Sequence, residues 1–116
     1  MMTIENRETR RIVCNYLTTF LTDERNARIL KVLENRTRHL TVVVEDLFQT
    51  QNISAVMRTC ECVGIQDIHI IEGENEFSIH TAISMGADKW LNHYHYPVSD
   101  TNISDCILGL KQKGYT

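Results

Sequence analysis

The sequence predicts an α/β fold with a parallel, Rossmann-like sheet, and three features within residues 40–72 carry that reading. Leu40–Val44 and Ile68–Ile71 are short apolar runs rich in β-branched residues, with no polar alternation, as expected of strands buried on both faces. Between them Ile53, Val56, Met57, Cys60 and Val63 recur at helical spacing and form one apolar stripe. Gly64 then supplies a C-terminal stop. Strand, helix and strand within about thirty residues make a parallel βαβ unit with a right-handed crossover.

Ahead of this unit, residues 1–38 read as a helical N-terminal extension. Val13, Tyr16, Leu17, Phe20 and Leu21 form one stripe, and the chain breaks at Thr22-Asp23. Asp23 and Glu24 suit the start of a second helix, whose narrower apolar face holds Ile29, Leu30 and Leu33. The turn Asn35–His39 leads into the first strand. Beyond the second strand, Gly73–Glu76 reads as a loop and Phe77–Met85 as weakly helical. Trp90–Tyr96 alternates as a third strand closed by Pro97. Ser99 or Asp100 is placed to cap a last helix, with Ile103, Cys106, Ile107 and Leu110 as its buried stripe and Gly114 as its end.

The chain has 116 residues, enough for one small domain with a modest core. No apolar run approaches the ~20 residues of a membrane span, and the N-terminus has no secretory character, so a cytoplasmic protein with no membrane partner is expected. Cys14, Cys60, Cys62 and Cys106 then read as reduced core thiols. The net charge of −3 argues against a nucleic-acid partner, but its distribution argues for one. Residues 1–38 carry eight Lys/Arg against five acids, and the remainder carries four against ten. The basic arm is either a handle for RNA phosphates, with Arg10, Arg11 and Arg28 its best-placed members, or a solvated helical surface.

Two polar side chains of the βαβ unit stand out. Asn52 lies at the expected helix start and Arg58 lies off the apolar stripe, on the side of Ser54. Helical side chains lean toward the N-terminus, so Arg58 can reach back over the carboxyl ends of the strands, where ligands of open α/β sheets bind. The plainer alternative is that Asn52 only caps the helix and Arg58 only pairs with Glu61. Cys60-x-Cys62 diverges around a helix, and His93-x-His95 lacks further ligands, so no metal is expected. No glycine-rich phosphate loop and no nucleophile elbow are present.

Val42-Val43-Val44-Glu45-Asp46, followed by Asn52, five residues, Arg58-Thr59 and then Val63-Gly64, resembles the first motif of the SpoU-type RNA 2′-O-ribose methyltransferases of the SPOUT superfamily. Gly86–Trp90 resembles the family's small-residue segment before its third strand, and the likeness covers about two thirds of the chain. The helical extension is most similar to that of the tRNA guanosine-2′-O-methyltransferase branch. The family often has Asp-Pro-His before the asparagine where this chain has Gln49-Thr50-Gln51.

The resemblance implies that residues 39–116 are the N-terminal part of a SPOUT methyltransferase domain. It implies transfer of a methyl group from S-adenosylmethionine to a ribose 2′-hydroxyl of tRNA or rRNA. Arg58 is then the catalytic residue, Asn52 positions the substrate ribose or Arg58, and Glu45, counted with the substrate-binding residues, orients the loop or pairs with Arg58. A guanidinium with a pKa above ~12 is a poor base, so Arg58 fits better as a stabiliser of alkoxide charge and an anchor for phosphate. The last helix calls for another strand, so the chain reads as the start of a longer, homodimeric protein. On that reading the knot and the cofactor-binding residues lie beyond residue 116, and the present residues alone are expected to be inactive. The rival reading is a non-catalytic RNA-binding or interaction module on the same fold; a flavodoxin-like regulator lacks its acidic pocket.

Overall fold

The computed structural model describes residues 5–75 and 85–116 and divides the chain into two units, Met1–Asn35 and Arg36–Thr116. The first unit holds α1 (Arg7–Thr18) and α2 (Asp23–Glu34). Asn6 caps α1, its Oδ1 accepting from the N–H groups of Glu8 at 2.8 Å and Thr9 at 3.4 Å. Thr22 caps α2 through its hydroxyl, which accepts from Arg25 N–H at 3.2 Å. Asp23 and Glu24 in the first turn of α2 complement its dipole. Neither helix has a fully buried residue, so the apolar stripes form as periodicity without becoming core.

The second unit is the expected parallel sheet. Its strands are β1 (Val42–Glu45), β2 (Asp67–Ile71) and β3 (Asn92–Tyr96), in the order β1-β2-β3. Val42 pairs with Ile68, and Asp67 with Asn92, which fixes both registers. Helix α3 (Thr50–Val63) crosses between β1 and β2 and buries Ile53, Met57 and Cys60 against Val44, Ile68, Ile70 and Leu91. Gly64 ends it in the left-handed conformation (φ 83), and Ile65 N–H reaches back to Cys60 C=O at 2.9 Å. On the other face, Cys106 and Leu110 of α4 (Asn102–Gln112) pack with Ile71, beside Tyr96 and Tyr115. Alternation along β2 makes this two-sided layer possible, since Ile70 and Ile71 point in opposite directions.

Several boundaries differ from the sequence expectation. All five residues of β2 are buried, but β1 begins at Val42, Leu40 is 60% exposed and Val43 is 37% exposed. The first strand is therefore covered on the α3 face only. Val63, Ile103 and Ile107 are also exposed, so the stripes of α3 and α4 are narrower than their spacing suggests. Trp90 belongs to the turn after a short 3-10 helix (Ala87–Lys89), not to β3. The cap position of α4 is Thr101 rather than Ser99 or Asp100, and the Thr101 hydroxyl donates to Asp105 Oδ2 at 3.0 Å. All four cysteines are free thiols, yet only Cys60 and Cys106 are in the core, where burial pushes both thiols up in pKa. The helical expectation for Phe77–Met85 lies outside the described residues except at Met85, which is left-handed (φ 51).

Residues Arg36–Arg38 bond into the second unit. Arg36 Nη2 meets Glu61 Oε1 at 3.0 Å, with side chains 7% and 32% exposed. Thr37 forms a parallel bridge with Ile65, and Arg38 Nε lies 3.3 Å from Asp67 Oδ2.

Candidate functional site

The carboxyl ends of β1 and β2 open into two short segments, residues 46–49 and 72–75, and a narrow cavity between them is lined by Asp46, Leu47, Ile53, Glu72 and Asn75. This mouth is where an open α/β sheet offers ligands its backbone and loop side chains. Glu45 is the last residue of β1, opposite Ile71, and is exposed. Asn52 is exposed too, but it is the third residue of α3 and not its cap. Gln49 holds the cap position without a side-chain bond, and Asn52 N–H closes onto Gln49 C=O at 2.8 Å. Thr50 and Gln51, expected in the loop, are the first helical residues.

Arg58 lies farther along α3 and is exposed; among the described residues it is in no ion pair. Glu61, the partner that would have made Arg58 a mere surface pair, is taken by Arg36. Ser54, one turn before Arg58, is fully buried, so the helix edge between them divides core from solvent. Arg58 follows Asn52 by six positions, roughly 9 Å along the axis and about 120° around it. The helix thus presents these two side chains in different directions. Glu45 and Arg58 form no ion pair with each other.

Four residues at the mouth were not singled out by sequence reasoning. Asp46 has φ 42, and its N–H donates to Ile71 C=O at 2.9 Å. Its Oδ1 accepts from both the backbone N–H and the side-chain amide of Asn75, each at 2.9 Å. These bonds from Asn75 hold the Asp46 carboxyl below its ordinary pKa of 3.8. Gly73 sits against it, since a Cβ there would stand 2.7 Å from Asp46 Oδ2. Buried Asn102 donates from Nδ2 to Glu72 C=O at 2.7 Å, tying the start of α4 to the exit of β2. The only available sequence signal was the turn-forming pattern Gly73-x-Asn75, which does not say what it bonds to.

Of the basic arm, Arg10 and Arg11 are exposed on α1, and Arg28 is exposed on α2. Arg10 donates to Glu5 C=O at 3.2 Å, and Arg28 lies 3.8 Å from Glu24, a weak surface pair. His93 Nδ1 and His95 Nε2 are 2.9 Å apart on β3, with Glu72 Oε1 4.0 Å from His95 Nδ1. Among the described residues no three His, Cys, Asp or Glu side chains converge on a metal position. A groove of about 840 Å³ lies at the opposite end of the sheet, floored by Val43 and Tyr94 and edged by Arg38, Lys111 and Lys113. No described helix is long and apolar enough to cross a membrane.

Comparison with known proteins agrees with this architecture. A tRNA (guanosine(18)-2'-O)-methyltransferase of Borreliella burgdorferi is 43% identical over 100 residues, covering 86% of this chain and 44% of the relative. The protein of the same name from Thermus thermophilus is 30% identical over 95 residues, covering 82% and 47%. The crystal structure of an A. aeolicus TrmH/SpoU tRNA modifying enzyme superposes with a TM-score of 0.65 at 28% identity, over 79% of this chain and 45% of that one. The chain spans about half the length of the relatives it matches. With residues 39–116 matching the model of the SpoU rRNA Methylase family, on the unit that carries the sheet, α3 and the mouth, the chain belongs to that family.

Proposed function

We propose that this chain belongs to an RNA 2′-O-ribose methyltransferase of the cytoplasm, acting as a homodimer on tRNA. What supports the reading is the family membership of the segment that holds Arg58, together with the exposure of Arg58 and its freedom from any ion pair among the described residues. The relatives' names point to tRNA as the RNA class. S-adenosylmethionine supplies an electrophilic methyl group in this chemistry. The described residues do not by themselves fit that cofactor. The mouth cavity is too narrow for an adenosyl group, and the groove sets three cations, Arg38, Lys111 and Lys113, against one side-chain carboxylate, Asp67, a balance that opposes a sulfonium.

The residues of the chain act on the RNA side. Arg58 stabilises negative charge growing on the ribose 2′-oxygen as its proton passes to solvent water, and its planar fork holds an adjacent phosphate through paired N–H donors. It does not serve as the base, because a guanidinium keeps its proton. Asn52, with both donors and an acceptor, positions the ribose from the first turn of α3, and Glu45 accepts hydrogen bonds at the end of β1. Arg10, Arg11 and Arg28 hold phosphates farther along the RNA.

The test is methyl transfer from labelled S-adenosylmethionine to tRNA transcripts, using protein expressed from its complete reading frame. Arg58→Lys keeps the charge but loses the fork, and turnover should fall about a hundredfold. Affinity for the cofactor should not change. Normal turnover by the lysine variant moves the catalytic role elsewhere, and RNA binding without any transfer by the wild type favours a non-catalytic module.

A further inference from the structure

The start of α3 has no side chain to hold it. Gln49 makes no capping bond, and the loop before it turns through a left-handed aspartate. Aspartate tolerates that conformation better than most residues, but it does not prefer it, so surrounding bonds must impose it. Asp46 is fixed on two sides: its N–H donates to Ile71 C=O at 2.9 Å, and its Oδ1 receives the two N–H groups of Asn75 at 2.9 Å each. Gly73 lets the segments touch, since any Cβ there would collide with the carboxylate. Asn102 holds the same segment from beneath through Glu72 C=O at 2.7 Å. The segment 72–75 is thus clamped between α4 and Asp46, and through Asp46 it anchors the loop leading to Gln49 and Asn52.

We propose that Asp46 and Asn75 are positioning residues for the RNA site. Their carboxylate–amide clasp fixes the loop between β1 and α3, and so holds Asn52 where it meets the ribose. The inference rests on the methyltransferase reading, and it places neither residue on the substrate. A clasp built this way acts on the substrate held by Asn52 and not on the cofactor. It also predicts energetic coupling with Asn52.

The experiment combines activity with amide hydrogen exchange, on protein expressed from its complete reading frame. Asp46→Ala and Asn75→Ala should each lower kcat/KM for tRNA about tenfold, on the scale of a small misplacement. The KM for S-adenosylmethionine should be unchanged. Asn75→Asp, which sets two carboxylates face to face, should be at least as damaging. The exchanged pair Asp46→Asn/Asn75→Asp leaves an amide oxygen at position 46 for the backbone N–H of residue 75, reverses donor and acceptor only in the side-chain bond, and should recover most of the activity. In an Asn52→Ala background, Asp46→Ala should cost little more. Additive losses in that background, equal losses toward both substrates, or failure of the exchanged pair would overturn the proposal. Exchange at Leu47–Asn52 should quicken in Asp46→Ala without ligand, and unchanged exchange also overturns it. A wild type that transfers no methyl group defeats the functional reading and the role with it, while exchange still reports whether the clasp exists.

Discussion

Arg36 shows how one side chain can be both anchored and incompletely satisfied. Its Nη2 meets Glu61, while Nη1 is buried without a hydrogen-bond partner among the described residues. The guanidinium therefore carries a desolvation penalty that the ion pair offsets only in part. Glu61 is about one third exposed, so water screens the attraction and the pair is worth less than a deeply buried one. Arg36→Ala should destabilise the fold by about 1–3 kcal/mol, from lost packing of the stem and from the pair. Arg36→Met keeps the stem's bulk and removes the unsatisfied donors, and should lose less than half as much. Urea unfolding of the two variants measures the difference, and equal losses would place the whole effect in the charge. Arg58 is the contrasting case: an exposed arginine on the same helix as Glu61, in no ion pair among the described residues.

Among the elements, α1 and α2 carry the basic excess without contributing any fully buried residue. Reversing Arg10, Arg11 and Arg28 to glutamate should leave the sheet unit intact and weaken tRNA binding. The dependence of affinity on salt should flatten, by roughly 0.7–0.9 in logarithmic slope for each phosphate that is no longer neutralised. Filter retention across a salt series measures this, and an unchanged slope removes these helices from the RNA interface. The helices, β2 and α3 were legible from period and composition, because Ile53, Met57 and Cys60 repeat at one helical face and Ile68, Ile70 and Ile71 crowd one short run. The exposure of Val43 was not legible, since a valine reads the same whether one or both strand faces are covered. Of the site, Asn52 and Arg58 could be read from a linear motif. The Asp46–Asn75 clasp could not, because it joins residues 29 apart whose meeting depends on strand pairing.

At the scale of the whole molecule, acidity should act through a histidine in the middle of the sheet. His69 is buried on β2, stacked on Tyr94 at 4.8 Å, with Nδ1 3.2 Å from Tyr96 Oη. Burial first, and then the Lys113 cation, lowers its pKa from 6.5, against an opposing pull from Asp67. Folding therefore favours the neutral ring. Its contribution to stability is complete above 6.5, where both states are neutral, and declines as pH falls from there toward the folded value. His95 on β3, lowered by burial and then by His93, adds to the same window, and Asp46 adds a loss only in stronger acid, below 3.8, because its folded pKa is depressed. The melting temperature of the wild type should fall between about pH 7 and 5. His69→Phe, which keeps the ring stack but cannot titrate, should flatten that slope, and an unaltered slope would assign it to another group.

The valines of β1 bear on how accurately the sheet can assemble. Val42, Val43 and Val44 are chemically identical, so within β1 only Glu45, at its end, marks a one-residue shift by polarity. On β2, by contrast, Asp67 and His69 share one face and Ile68 and Ile70 the other, and a slip of one residue would drive charge beneath α3. Proofreading of β1 is left to its two ends. Thr41 Oγ1 donates to Asp67 C=O at 2.9 Å, and Asp46 N–H donates to Ile71 C=O at 2.9 Å. Removing either end bond, by Thr41→Val or by loss of the Asp46 turn, should therefore loosen the register that β1 keeps against β2.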